Sequence, residues 1–70
     1  MAERGIVKWF DEEKNYGFIA PDSGHKDIFF HRTDLDTLGN TVEKGERVEF
    51  DIGTGAKGPE AKHIKLLESA

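Results

Sequence analysis

Aromatic side chains that can stack on flat ligands are concentrated in the first half of this 70-residue sequence. The candidate stacking residues are, in chain order, Trp9, Tyr16, Phe18, Phe29 and His31. The cations that lie near these rings or in the last loop are Lys8, Lys14, Arg32 and Lys57. Single-stranded nucleic acid uses both features, because each base offers a π-face for stacking and each nucleotide a phosphate to neutralise.

Other kinds of chemistry are poorly represented. The chain has no cysteine, which excludes a disulfide framework, a cysteine-based zinc site and a thiol nucleophile. His25, His31 and His63 form no closely spaced ligand pair, so we expect solvated or stacking histidines and no metal site. No Ser, His and Asp arrangement is identifiable, and so short a chain leaves little room for an enclosed cleft. We therefore predict that the protein is not an enzyme.

One glycine-rich segment matches a cofactor motif. Residues 53–58 fit G-x-G-x-x-G, the dinucleotide fingerprint, which functions only where a strand feeds a helix whose N-terminus meets the pyrophosphate. Pro59 follows directly and only twelve residues remain after the segment. We expect a loop that connects two strands, with neither a cofactor nor a small-molecule substrate.

The secondary-structure signals are those of short strands. Glycine and proline interrupt the chain at short intervals, and no window of eleven or more residues keeps a helical apolar period. We predict five strands, at about residues 5–11, 16–21, 27–31, 47–53 and 60–67. The longest connection, 33–46, begins with Thr33-Asp34-Leu35-Asp36, which resembles a capping box and predicts one short helical turn after strand 3.

Five short strands without a covering helix must close on themselves to hide their edges. We therefore predict an all-β fold, a five-stranded antiparallel barrel in which side chains alternate between inside and outside. The predicted core is Val7, Ile19, Ile28, Phe30, Leu35, Val48, Phe50 and Ile64. The rings left outside are Tyr16, Phe18, Phe29 and His31. We place Trp9 with these outer rings, although the first strand alternates imperfectly and the division of Trp9 and Phe10 between core and surface stays open.

The outward rings have three interpretations at this point. If the strand parity is wrong, they are ordinary core residues. If it is right, an aromatic cluster on so small a surface marks a binding site, either for nucleic acid or for a partner protein.

Four segments of the chain carry a family resemblance. They are Gly5-Ile6-Val7-Lys8-Trp9-Phe10, Lys14-Asn15-Tyr16-Gly17-Phe18-Ile19, Lys26-Asp27-Ile28-Phe29-Phe30-His31 and Gly55-Ala56-Lys57-Gly58-Pro59. The second and third are similar to the RNP1 and RNP2 motifs of the cold-shock domain family, in the same order and at the same spacing. From about residue 4 to residue 67, the chain thus resembles the bacterial cold-shock proteins.

This resemblance implies a five-stranded OB-fold barrel that binds single-stranded RNA and DNA and acts as an RNA chaperone, with effects on transcription and translation. Carried over by position, it implies base stacking on Trp9, Tyr16, Phe18, Phe29 and His31. The polar or ionic contacts that it implies come from Lys8, Lys14, Asp27 and Lys57. We expect one domain over residues 1–70, present as a monomer in the cytoplasm. We expect no membrane partner, since the longest apolar run is two or three residues, far short of a membrane span.

Three positions depart from the family pattern. Arg32 stands where an aromatic residue often follows the histidine, and a guanidinium plane can both stack on a base and meet a phosphate. In the long loop, Leu38 and Asn40 replace a common exposed Phe, which puts one base subsite in question. Asn15 replaces a glycine of RNP1, which predicts a left-handed backbone at that turn.

The formal net charge of −4 argues by itself against a polyanion partner. Residues 1–33, which hold the rings, carry five Lys and Arg against six Asp and Glu, whereas residues 34–70 carry five against eight. We therefore predict that stacking supplies the affinity while a few local cations steer the backbone. Duplex DNA, whose bases are hidden, should bind weakly or not at all.

Overall fold

The computed structural model describes residues 2–24, 26–55 and 58–67 and contains the five predicted strands. The strands are β1 (Glu3–Asp11), β2 (Tyr16–Pro21), β3 (Ile28–His31), β4 (Arg47–Gly55) and β5 (Gly58–Leu66). Two single-turn 3-10 helices, Arg32–Asp34 and Leu38–Asn40, lie between β3 and β4. Within the described ranges, no helix is long and apolar enough to cross a membrane.

The strands close into a barrel in the order β1-β2-β3-β5-β4. Four neighbouring pairs are antiparallel, whereas β3 and β5 run parallel. Directions cannot alternate at every step around a ring of five, because an odd ring returns to its first strand with the wrong direction. The predicted five-stranded barrel is confirmed, and its antiparallel description is corrected at this one pair.

The turn after β3 begins earlier than the sequence predicts. His31 is the N-cap of the first 3-10 helix, since its Nδ1 accepts the Thr33 backbone N–H at 3.3 Å. Asp34 Oδ2 in turn accepts the His31 backbone N–H at 3.0 Å, which completes a capping box. The second helix was not predicted; it depends on left-handed backbone at Gly39 and Asn40, with φ of 74° and 51°.

The barrel interior contains all eight predicted core residues, each of them buried. Val42 and Ala61, which the prediction omitted, are also buried there. Since Tyr16, Phe18 and Phe29 are only partly buried and lie opposite this core, the interpretation of these rings as ordinary core residues is wrong.

A β-bulge settles the placement of Trp9 and Phe10. Val7 pairs with Ile19 and Trp9 pairs with Phe18, so Lys8 is an extra residue that β2 does not match. The bulge shifts the alternation by one residue. Trp9 consequently lies outside with 37% of its surface exposed, while Phe10 packs against the core with its ring 5.6 Å from that of Phe30.

Candidate nucleic-acid interface

Three adjacent strands place four rings on one outer surface of the barrel. β1 supplies Trp9, β2 supplies Tyr16 and Phe18, and β3 supplies Phe29; we call these four residues the aromatic face. The strand register sets Phe18 between Trp9 and Phe29, because it pairs with both. Cross-strand pairing therefore produces a continuous row of rings from residues that are far apart in sequence.

The rings of the aromatic face support one another. The centroid of Trp9 lies 5.3 Å from that of Tyr16 and 5.3 Å from that of Phe18. Phe29 is stacked on Tyr16 at 5.6 Å and meets Phe18 edge-on at 5.8 Å. These separations lie within the range of favourable aromatic pairs, so the surface is held in shape before any ligand arrives.

Gly17 permits the close approach of β1 and β2 beneath this face. A Cβ at position 17 would overlap the Trp9 carbonyl oxygen and would lie 2.8 Å from Phe30 Cζ. Only glycine therefore fits between Tyr16 and Phe18 without moving the strand that carries Trp9.

His31 adjoins the aromatic face at the end of β3, opposite Tyr16 in the strand register. Its imidazole is exposed, and Nδ1 lies 3.1 Å from Thr33 Oγ1 in addition to accepting the Thr33 N–H. Because Nδ1 is an acceptor, the neutral ring carries its proton on Nε2. The ring is thus oriented by its own turn and keeps an Nε2–H donor.

An open groove of about 960 Å³ runs along this surface. Six of the predicted site residues line it, namely Lys14, Tyr16, Phe18, Asp27, Phe29 and His31. Lys26, Ile52 and Pro59 also line the groove, although the sequence analysis did not select them as site residues. The position of Lys26 directly before Asp27 was an available signal, whereas a single exposed isoleucine on β4 gives none.

Of the other predicted site residues that the structure describes, Lys8, Trp9 and Arg32 are not part of the groove lining. Trp9 reaches it through its ring contacts, and Lys8 donates to Asp27 Oδ2 at 2.9 Å in an exposed ion pair. Arg32 is exposed next to His31 in the chain but does not line the groove. Lys57 lies outside the described residues.

The glycine-rich segment, Asn15 and Leu38 also have defined positions in the structure. In the glycine-rich segment, residues 53–55 are the last residues of β4 and Gly58 is the first residue of β5. Its described residues therefore belong to two paired strands. Asn15 has a φ of 63°, which confirms the left-handed turn. Leu38 is 97% exposed on the second 3-10 helix, and the described residues include no cluster of three or more potential metal ligands.

Comparison with known families gives a match over nearly the whole chain. The profile of the "'Cold-shock' DNA-binding domain" family matches residues 3–67. The chain is 50% identical over 65 residues to the cold shock-like protein CspE of Escherichia coli, covering 91% of this chain and 94% of that protein. It is 46% identical over 68 residues to a cold shock-like protein of Aquifex aeolicus, covering 96% and 97% of the two chains.

Solved structures share the fold at low sequence identity. Drosophila Unr CSD456 superposes with a TM-score of 0.82 at 24% identity, covering 97% of this chain and 27% of that longer chain. A Cu(II)-containing structure of CusF from Escherichia coli superposes with a TM-score of 0.67 at 17% identity, covering 97% and 91%. At such identities the likeness concerns the barrel alone.

Proposed function

Because this chain belongs to the cold-shock domain family of non-enzymatic nucleic-acid binders, we propose that it binds single-stranded RNA and DNA by stacking bases on the aromatic face. The observation that carries the proposal is the row of partly exposed rings across β1, β2 and β3. A structural domain of this size gains stability by burying such rings, so leaving them at the surface favours a binding role.

The charged residues act at the rim of this surface. Lys14 contacts phosphates from within the groove, and Lys8 does so from the bulge beside Trp9. Asp27 holds Lys8 and accepts hydrogen bonds from base amino groups. Arg32 adds either a stacking plane or a phosphate contact after His31, and Lys57 adds a further polar or ionic contact.

Base stacking without a dense set of base-edge contacts gives only modest sequence preference. We propose that the protein, as one monomeric domain over residues 1–70, binds unpaired transcript segments in the cytoplasm and acts as an RNA chaperone that modulates transcription and translation. Because each stacked base must leave its helix, binding shifts the equilibrium of RNA away from secondary structure.

A fluorescence titration tests the proposal directly, since Trp9 is the single tryptophan of the chain. Short oligo-dT or oligo-U added at low salt should quench Trp9 emission in a saturable manner, because a stacked base contacts the indole. A duplex of the same length is the control and should quench little. An absence of response to the single strands would reject base stacking and favour a partner protein on the same surface.

A further inference from the structure

Three charged side chains form a cluster next to the aromatic face, where β3 meets β5. Lys62 Nζ lies 3.2 Å from Asp34 Oδ1 and 3.0 Å from Glu60 Oε2. The two carboxylate side chains are nearly buried, with 10% and 13% of their surface exposed, whereas that of Lys62 is 38% exposed. Glu60 is also the register partner of Phe29, so the cluster borders the aromatic face directly.

Two nearly buried carboxylates require a cation, because an unpaired charge in such a position is costly. Hydrogen bonds to Glu60 and Asp34 raise the pKa of Lys62, against the opposing effect of its own burial. The stem of Lys62 lies close over Gly53, where an added Cβ would be 3.1 Å from Lys62 Cγ. Lys62 therefore remains charged and follows a defined path to both partners.

Asp34 connects this cluster to the candidate interface. One carboxylate oxygen, Oδ1, binds Lys62, while the other, Oδ2, accepts the His31 backbone N–H. That hydrogen bond is half of the capping box, and the other half is the Thr33 N–H donated to the His31 imidazole. Asp34 thus links a lysine on another strand to the backbone of the turn in which Thr33 holds the His31 ring.

The position of the cluster makes this coupling important. The described ladder between β3 and β5 has a single register pair, and beyond it the nearest pairing is the isolated bridge between Leu35 and Ile64. The ion pair of Asp34 with Lys62 adds a side-chain link between the capping turn and β5, next to the backbone bridge that Leu35, the C-cap of the turn, makes with Ile64.

We infer that Lys62 is a positioning residue of the nucleic-acid site, which holds the His31 imidazole in its binding orientation through Asp34. The inference rests on the proposed function, with His31 as one of its contact groups. Lys62 itself lies outside the groove lining, so its effect on binding passes through His31 rather than through a contact of its own.

The first test uses the free protein and needs no ligand. The variant Lys62→Met removes the cation but keeps an apolar stem, and Lys65→Met removes a cation from the same strand away from the cluster. Imidazole ¹⁵N spectra at about pH 8, where histidine is neutral, should show His31 as the Nε2–H tautomer in wild type and in Lys65→Met. In folded Lys62→Met, the His31 signals should shift toward an average of both tautomers. Unchanged His31 signals would overturn the inference.

The second test measures affinity for oligo-dT in a double-mutant cycle. We expect Lys62→Met to weaken binding about three- to tenfold, Lys65→Met to have less effect, and Lys62→Arg to restore affinity. In an Asp34→Asn background, Lys62→Met should weaken binding little further, because residue 34 no longer carries the charge that pairs with Lys62. Additive effects, or equal losses in Lys62→Met and Lys65→Met, would overturn the inference alone. A wild-type protein that does not bind would overturn the proposed function and this inference together.

Discussion

Two neighbouring phenylalanines show that residue type alone does not decide whether a side chain lies in the core or on the aromatic face. Phe29 and Phe30 are adjacent on β3, yet Phe30 is fully buried in the core and Phe29 belongs to the aromatic face. Alternation along the strand gives one ring a structural role and the other a place in the candidate site. Substitutions of the same chemical type should therefore have opposite consequences on the two sides of the barrel wall.

The paired substitutions Phe18→Ala and Phe30→Ala test this division. Phe18→Ala should weaken oligo-dT binding by about 1–3 kcal/mol, the value of one stacked base, and should leave the barrel folded. Phe30→Ala removes the same ring from the core and should cost about 3–5 kcal/mol of folding free energy. Fluorescence titration and chemical denaturation measure the two quantities. Unfolding of Phe18→Ala would mean that this ring is a core residue.

At the scale of the elements, the sequence predicts regular strands well and irregular ones poorly. Alternation in β2 and β3 identified the inward and outward residues of both strands. The same reasoning left Trp9 and Phe10 open, because the extra residue at Lys8 reverses the alternation and a bulge leaves no periodic signal.

The charged cluster was invisible in the sequence for a different reason. Asp34 lies in the first 3-10 helix and Lys62 in β5, with the whole of β4 between them in the chain. Only the closure of the barrel brings Lys62 Nζ to 3.2 Å from Asp34 Oδ1. The candidate cations Lys8, Lys14 and Arg32 were instead predicted from their nearness to the rings in the sequence, and Lys57 from the family resemblance. Pairing between distant residues depends on topology, which no local pattern encodes.

The packing of β1 against β2 depends on Gly17. Gly17→Ala should destabilise the barrel by about 1–3 kcal/mol, as overpacking does, since the new methyl group meets backbone and the Phe30 ring. The position of Trp9 and its emission should change as well. Gly53→Ala is the comparison, because its new Cβ meets the Lys62 side chain but no backbone, so the spacing of the strands should be kept. Equal free energies of unfolding for wild type and Gly17→Ala would show that β1 and β2 can accommodate a methyl group at this position.

The contribution of the Lys62, Asp34 and Glu60 cluster to folding stability should depend on pH. A pKa raised in the folded state, as for Lys62, means stabilisation that is complete at neutral pH and lost as the pH rises through the folded value. The stability difference between wild type and Lys62→Met should therefore be largest near neutral pH and shrink in strongly alkaline solution. Denaturation curves across this range, with Lys65→Met as the reference, measure it. A difference that stays constant would contradict a charge-based role for the cluster.

At the scale of the whole molecule, the distribution of charge affects how strongly the protein attracts a polyanion. The chain is acidic overall, and Lys8 is already paired with Asp27. We call Lys8, Lys14, Arg32 and Lys57 the proposed rim cations. We therefore expect weak long-range attraction for a polyanion, and in the proposed binding mode the affinity comes from contacts with exposed bases. We therefore expect single strands to bind more tightly than duplexes of the same sequence, because the bases of a duplex are hidden.

This balance should be visible in the salt dependence of binding. Each phosphate neutralised on a single strand contributes a slope of about 0.7 in log K against log salt, so two or three contacts from the rim cations give a slope of about 2 at most. Lys14→Gln should reduce the slope by about one such increment, whereas Phe18→Ala should lower affinity at every salt concentration and leave the slope unchanged. Titrations of oligo-dT across a salt series measure both quantities. A steep slope that Phe18→Ala also reduced would mean that ion pairs, rather than stacked rings, hold the strand to this acidic protein.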